Sequence, residues 1–211
     1  MRGATSTAGA RNFTSPIYAE GGGISVDGEG TVLTTEQCFL NPNRNPAFTR
    51  EEVEAELCRT LGAEKFIWLV GDPDDDETDG HVDGIAAFVR PGLVLVERAP
   101  ASDKHRRAVS DANIRALEGQ TDAAGRPLEL AFVEEAEYTE EDGDIYCKSY
   151  VNSYIVNGAV IMPDYAIPTD DKAARAYAEL FPDRVIERLP IHSIAIGGGG
   201  IHCITQQQPR V

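Results

Sequence analysis

The sequence predicts an α/β protein in which a strand–strand–helix–strand unit occurs three times in succession. Turn signals centred on Gly28, Gly92 and Gly158 recur at intervals of 64 and 66 residues. A short apolar segment lies on each side of every turn. A stretch with the apolar spacing of a helix comes next, and another apolar segment follows that stretch. Self-similarity at a fixed spacing is the mark of a repeat architecture, so we expect each unit to pack against its neighbour.

The first unit has the clearest helix signals. Thr49 and Glu52 form an S/T-x-x-E capping box, and Gly62 suits the end of the helix. The helix is expected to present one apolar face made of Val53, Leu57, Cys58 and Leu61. The predicted elements are a strand ending at Val26, a return strand over 31–34, a helix over 50–61 and a buried strand over 66–70.

The second and third units repeat this order. Asn157-Gly158 in the third unit is a strong signal for a two-residue hairpin turn. In the second unit we predict strands over 85–89, 93–96 and 128–133 and a helix over 108–117, and in the third unit strands over 150–156, 159–162 and 184–189 and a helix over 170–180.

Composition indicates one soluble globular domain. The 211 residues are 42% hydrophobic and 26% charged, with a net charge of −16. Such an acidic chain argues against nucleic acid or an anionic membrane as a partner and would attract a small cation. The chain contains no apolar stretch of about 18 residues and no apolar segment typical of secretion after Met1, which predicts a cytoplasmic location. We expect residues 1–19 to be a disordered N-terminus and residues 20–211 to form the domain.

The four cysteines point to chemistry at one position. Their spacing is irregular and lacks a CxxC pair, so it predicts neither a disulfide framework nor a zinc site. Cys203 follows four consecutive glycines, which are costly to order and suit a sharp turn or a close approach to a ligand. The thiol is therefore a candidate nucleophile, with a small buried strand cysteine as the alternative.

A second cluster lies in residues 71–83, which are rich in acidic side chains. Neither possible register of this segment matches an EF-hand calcium loop. His81 and Asp83 alternate, so on a strand both would point to one face. The alternatives are a solvated acidic loop or a structural histidine.

His202 is expected to be structural, because in an extended segment it would face away from Cys203.

A thiol, an imidazole and carboxylates in one cleft favour covalent catalysis on a cation. Carboxylates beside a thiol disfavour the thiolate, which is of little use to an enzyme acting on neutral substrates. A guanidinium group reverses this balance, because carboxylates bind it through paired hydrogen bonds and its charge favours the thiolate.

The chain resembles the agmatine deiminases of the guanidine-modifying pentein superfamily, whose fold is a five-bladed α/β-propeller of ββαβ modules. The resemblance covers nearly the whole chain from residue 20 onward and corresponds to the C-terminal part of the family's chain. The matching segments are Glu20-Gly-Gly, Val26-Asp-Gly-Glu-Gly-Thr31, Leu40-Asn-Pro-Asn-Arg-Asn-Pro46, Thr78-Asp-Gly-His-Val-Asp83, Phe88-Val-Arg-Pro-Gly92, Ser149-Tyr-Val-Asn152 and the tail over 197–209.

The resemblance implies a role for each candidate residue. Cys203 would attack the guanidinium carbon of agmatine, giving an amidino-cysteine that hydrolyses to N-carbamoylputrescine in polyamine biosynthesis. His81 would act as the acid and base, and Asp83 would hold the guanidinium. Glu77 would be a further substrate-binding carboxylate, and the backbone of the glycine run, including Gly198 and Gly199, would approach the substrate. No metal or organic cofactor is implied.

The sequence also departs from the family pattern. Only about three of five modules are present, and the family's guanidinium-binding Asp in a Trp-x-Arg-Asp motif is missing. Gly84 and Gly200 stand where the family has Asn. These departures leave two alternatives to agmatine hydrolysis. One is a truncated, inactive propeller fragment or pairing subunit, completed by an N-terminal half or a homo-oligomer, and the other is a related enzyme acting on arginine or another guanidine.

Overall fold

A computed structural model describes residues 13–73, 78–137 and 147–208 and contains three units of the predicted design. Each unit has a separate three-stranded sheet. In every sheet the middle strand runs antiparallel to the first strand and parallel to the third. The helix between the second and third strands makes the parallel crossover, so the strand–strand–helix–strand repeat is confirmed.

The elements lie close to their predicted positions. The strands are β1 Ser25–Val26, β2 Thr31–Thr35, β3 Lys65–Leu69, β4 Ala86–Arg90, β5 Leu93–Arg98, β6 Glu129–Glu134, β7 Tyr154–Val156, β8 Ala159–Asp164 and β9 Val185–Pro190. The helices are α1 Glu36–Phe39, α2 Arg50–Leu61, α3 Lys104–Leu117, α4 Thr169–Leu180 and α5 His192–Ala195.

The local signals in the first unit have the predicted geometry, with one exception. Thr49 and Glu52 make both hydrogen bonds of the capping box, and Gly62 ends α2 in the left-handed conformation at φ 69°. The predicted apolar face of α2 is wrong in part, because Cys58 and Leu61 are exposed. Only one narrow stripe of this helix packs on the core, and Val53 and Leu57 fill it.

Each of the first two sheets packs against the helix of the following unit. Leu69 of β3 lies in a cluster with Ile114 and Leu117 of α3. Val133 of β6 lies in a second cluster with Tyr177 of α4. This nearest-neighbour packing is what a chain of repeats requires to bury the apolar face of each sheet.

The third sheet presents an uncovered position on β9. Leu69, Val133 and Leu189 occupy equivalent registers in the three sheets, opposite Thr35, Glu97 and Pro163. Leu69 is 0% exposed and Val133 4% exposed, whereas Leu189 is 43% exposed. The first two sheets are thus each covered by a helix at a position where the third sheet is open.

Two segments differ from the predicted elements in ways that affect the site. Residues 150–153 do not form a strand, and β7 begins only at Tyr154.

The segment ahead of β1 is held by side-chain contacts. Asn45 accepts a hydrogen bond from the Tyr18 backbone N–H and donates one to the Tyr18 carbonyl, and Ile17 packs with α1 and α2. This part of the predicted N-terminal tail therefore has defined contacts, and residues 1–12 lie outside the described residues. None of the helices in the described ranges has the length and hydropathy that a membrane-spanning helix needs.

Candidate active site

His81 and Asp83 converge on one point, although not by the route predicted from their alternation. Val82–Gly84 form a short 3₁₀ turn rather than a strand. A side chain added at Gly22 would overlap His81 Nδ1 and would lie 2.7 Å from Asp83 Oδ2. Both side chains therefore lie against the same piece of backbone, which is open to them because residue 22 is a glycine.

Glu20 fixes the orientation of the His81 ring. The Nε2 atom of His81 lies 2.7 Å from Glu20 Oε2. Arg44 donates to the same carboxylate oxygen at 2.7 Å and to Asp79 at 3.2 Å. Burial would raise the pKa of Glu20, but the hydrogen bonds from His81 and Arg44 outweigh it and lower that pKa. Glu20 is thus held ionised against the imidazole, and its carboxylate fixes the position of ring nitrogen Nε2.

Cys203 faces Asp83, although the two residues are far apart in the sequence. It lies in the 3₁₀ turn His202–Ile204, with Sγ 3.7 Å from Asp83 Oδ2. The prediction that His202 faces away rested on an extended backbone, which is wrong. His202 instead places Nδ1 2.7 Å from the same Asp83 oxygen. Asp83 therefore links the thiol to a second imidazole.

Asn152 holds the turn that carries Cys203. Its Nδ2 donates to Cys203 Sγ at 3.2 Å, and its Oδ1 accepts from the His202 backbone N–H at 2.9 Å. Buried Glu97 anchors the segment that leads to Asn152. It accepts from the Ser149 hydroxyl at 2.9 Å and from the Val151 N–H at 3.0 Å. The irregular backbone over 150–153 thus serves to aim an amide at the thiol.

The surroundings of Cys203 oppose its ionisation. Burial of part of the side chain and the charge of Asp83 raise the pKa of the thiol, while a Gly200 backbone hydrogen bond and Asn152 lower it by less. The residue is nevertheless exposed to solvent. Cys203 is therefore accessible but largely protonated at neutral pH until a positive charge arrives.

Cys38 differs from Cys203 in every respect that matters for nucleophilic attack. It is fully buried in α1, and burial raises the pKa of its thiol to about 12. Its Sγ nevertheless belongs to a group with Glu20 and His81 whose ligand-type atoms lie within 4.8 Å of one another. Cys38 is thus the one sulfur of this group and the residue through which the site could hold a metal ion.

The glycine run has a different role at each position. Gly198 adopts φ 82°, which a residue with a side chain rarely tolerates, and Gly199 lies against Cys203. A Cβ at Gly200 would overlap the Asn152 carboxamide, so this glycine leaves room for Asn152. Glu77 lies outside the described residues, and its predicted contact with substrate stays a prediction.

Two glycine variants test the role of Asn152. Gly200→Ala should push the Asn152 amide off Sγ, raise the pKa of Cys203 and slow its alkylation by iodoacetamide at neutral pH by about threefold, the effect of losing one hydrogen bond to a thiolate. Gly84→Ala is the matched control, because a Cβ there meets nothing within 4 Å. Alkylation is followed by mass spectrometry of the Cys203 peptide. Equal rates for the two variants would show that Asn152 does not set the reactivity of the thiol.

Asp83→Asn should act in the opposite direction. Asp83 raises the pKa of Cys203, so its neutralisation lowers that pKa and moves the midpoint of the alkylation–pH profile downward. Alkylation at neutral pH should then be about threefold faster, since the gain in thiolate exceeds the loss in its nucleophilicity. An unchanged or upward-shifted midpoint would contradict the assigned electrostatics.

Cys203, His81 and Asp83 are predicted from the sequence as site residues, and the structure brings these three residues into one region. Glu20 and Asn152 have no role in that prediction, and His202 is expected there to be structural. The first two belong to segments quoted for the family resemblance, but neither has a spacing signal relative to the thiol, because each comes from a different unit of the repeat. A contact between such distant loops depends on packing, which periodicity does not reveal.

The fold and the site together define an α/β protein of the pentein type. The chain is similar to a solved structure of the agmatine deiminase of Enterococcus faecalis. The two superpose with a TM-score of 0.91 at 34% identity, over 99% of this chain and 62% of that chain. The family model of Porphyromonas-type peptidyl-arginine deiminases matches residues 2–209. The chain belongs to this family, which confirms the resemblance seen in the sequence.

Curated relatives show the same similarity at the sequence level. A Streptomyces avermitilis protein is 44% identical over 209 residues, covering 96% of this chain and 60% of its own length. The agmatine deiminase of Stutzerimonas stutzeri strain A1501 is 42% identical over 217 residues, covering 94% of this chain and 59% of its own length. The chain thus spans about 60% of the length of the curated relatives it matches.

Proposed function

We propose that the chain carries the nucleophile and the acid–base group of an enzyme that hydrolyses the guanidinium of agmatine to N-carbamoylputrescine and ammonia. The observation that carries the proposal is the convergence of three groups, the accessible thiol of Cys203, the buried carboxylate of Asp83 and the Glu20-bound imidazole of His81. Similarity to relatives named agmatine deiminase supports the choice of substrate.

In the first step the Cys203 thiolate attacks the guanidinium carbon, forming a C–S bond. The guanidinium carries one positive charge, which offsets the negative charge of Asp83 and favours the thiolate. Asp83 is suited to orient the guanidinium through charge-assisted hydrogen bonds. Collapse of the tetrahedral adduct breaks a C–N bond, and His81 supplies the proton with which ammonia leaves.

In the second step His81 takes a proton from water, which attacks the carbon of the amidino-cysteine. The C–S bond breaks, the ureido product leaves and the thiolate is restored. Glu20 supports both steps, because its carboxylate holds the ring in place and offsets the charge of the protonated imidazole. The backbone of Gly198 and Gly199 and the carboxylate of Glu77 would complete the substrate contacts.

Hydrolysis of agmatine to N-carbamoylputrescine would be a step of polyamine biosynthesis, and the substrate is a small cation that an acidic chain attracts. We also propose a cytoplasmic location. The reaction uses only groups of the protein and water.

The substrate is tested by ammonia release from agmatine, arginine and dimethylarginine at equal concentrations. Agmatine should give the highest kcat/KM, because its distal ammonium meets an acidic protein and it lacks the α-carboxylate of arginine. Preference for arginine or dimethylarginine would instead establish a related guanidine hydrolase with the same nucleophile. If a folded sample releases ammonia from none of the three substrates, the proposal is contradicted for the isolated chain.

One observation favours a second candidate function. The chain would be an inactive set of repeat units that becomes active only when further units, from another chain or a second copy, complete it. Leu189 on β9 is exposed where equivalent residues of the other two sheets are covered by a helix. Such a chain would self-associate or bind a further module set through β9, and would bind agmatine weakly alone. Light scattering alongside the ammonia assay separates the two candidates, because a monomer with full turnover rules out the second.

A further inference from the structure

Glu20, Cys38 and His81 bring three different ligand atoms to one place. A carboxylate oxygen of Glu20, Sγ of Cys38 and a ring nitrogen of His81 all lie within 4.8 Å of one another. Each residue comes from a separate element, namely the segment before β1, helix α1 and the loop before the Val82–Gly84 turn. Because the three positions are distant in the chain, no spacing motif in the sequence reveals them.

The chemistry of this set fits a zinc-class divalent cation. Zinc binds thiolate, imidazole and carboxylate together, and sites with three protein ligands leave a fourth position for water. Magnesium and calcium prefer oxygen ligands throughout and would gain nothing from the sulfur. The three ligand atoms, all within 4.8 Å of one another, would have to move closer together for all of them to reach coordination distance.

The electrostatic surroundings also suit a cation. Asp79 and Asp83 lie near the same group, the first bound to Arg44 and the second beside His81 at Gly22. The positive charge of Arg44 is shared between Glu20 and Asp79. A carboxylate has two oxygens, so Glu20 is able to keep Arg44 on Oε2 and to offer its other oxygen to a metal ion.

We propose that these three side chains form an inhibitory site for a zinc-class cation. Binding replaces the hydrogen bond between His81 Nε2 and Glu20 with two metal–ligand bonds and adds a third bond to Cys38 as its thiol proton passes to solvent. The bound cation thereby coordinates both the acid–base imidazole of His81 and the Glu20 carboxylate that orients it, so that neither group is free to act in catalysis. The inhibitory part rests on the proposed function of His81, whereas the binding part does not.

Binding is tested with Co²⁺, whose bond to a thiolate gives a charge-transfer band in the near ultraviolet. The reduced chain should show this band. Cys38→Ala should lose it and bind Co²⁺ at least about tenfold more weakly, while Cys58→Ala and Cys203→Ala should match the parent chain. Retention of the band in Cys38→Ala, or its loss in Cys203→Ala, would overturn the site by assigning the metal to another thiol.

A second variant guards against a folding defect in Cys38→Ala. Glu20→Gln keeps the sulfur and should retain the charge-transfer band while lowering Co²⁺ affinity about tenfold or more, with an unchanged circular dichroism spectrum. Unchanged affinity in this variant would contradict the assigned ligand set. Neither measurement requires turnover, so both remain decisive if the chain proves inactive.

Inhibition is tested with Zn²⁺ in the ammonia assay. Micromolar Zn²⁺ should inhibit the parent chain, and Cys38→Ala should keep basal turnover while needing at least about tenfold more Zn²⁺ for the same inhibition. A chain that shows the cobalt band yet turns over normally with Zn²⁺ bound would overturn the inhibitory part and with it the role given to His81.

Discussion

Replacement of Cys203 by alanine is expected to reduce ammonia release from agmatine by at least about 10⁴-fold, because Cys203 supplies the sulfur of the proposed amidino-cysteine intermediate. The fold should persist, since Cys203 is exposed in a short 3₁₀ turn and fills no part of the core. Removal of Sγ costs one hydrogen bond from Asn152, whose other contacts hold the turn. Substrate binding should therefore survive in part.

Cys58→Ala is the matched control for this substitution. Cys58 is also exposed, but it lies on α2, so its loss should leave turnover unchanged. The comparison uses the initial rate of ammonia release together with thermal denaturation of each variant. Turnover retained by a folded Cys203→Ala protein would show that the nucleophile is a different residue.

Replacement of His81 by asparagine should lower turnover by about 10²- to 10⁴-fold, the usual contribution of a positioned acid–base group. In the proposed mechanism both steps use the imidazole, and hydrolysis of the intermediate depends on it as the base that activates water. We therefore expect the covalent intermediate to accumulate in this variant. Glu20→Gln should cause a smaller loss, because it removes the partner that orients the ring and leaves the ring itself.

His105→Asn provides the control for the loss of an imidazole. His105 lies on α3 and is exposed, so its variant should retain parental turnover. Burst kinetics with agmatine distinguish the two steps in His81→Asn, since a rapid release of ammonia followed by a slow phase marks slow hydrolysis. Parental turnover in His81→Asn would remove this residue from the mechanism.

The repeat was predictable from sequence because its signals are local. Gly28, Gly92 and Gly158 all adopt positive φ at their hairpin turns, where a glycine is strongly favoured. The Thr49–Glu52 capping box likewise depends on neighbours within one helical turn. Exposure of Cys58 and Leu61 was not predictable, because the width of the stripe that a helix buries depends on what packs against it.

The site was predictable only as far as residue chemistry reaches. A thiol after four glycines and a His-x-Asp pair select Cys203, His81 and Asp83 only when taken together and with the family resemblance. Their partners Glu20, Asn152 and His202 look ordinary in sequence, and they acquire roles only when loops from different units meet. Gly200 illustrates the point, since its place is explained by the Asn152 carboxamide that occupies the space of a Cβ.

The most direct test of the account is mass spectrometry of the chain after rapid mixing with agmatine and acid quenching, with His81→Asn used to slow hydrolysis. We expect a mass gain equal to agmatine less ammonia, located on the peptide that contains Cys203 and absent from Cys203→Ala. Ammonia release without such an adduct, or an adduct on any other residue, would contradict the assignment of Cys203 as the nucleophile.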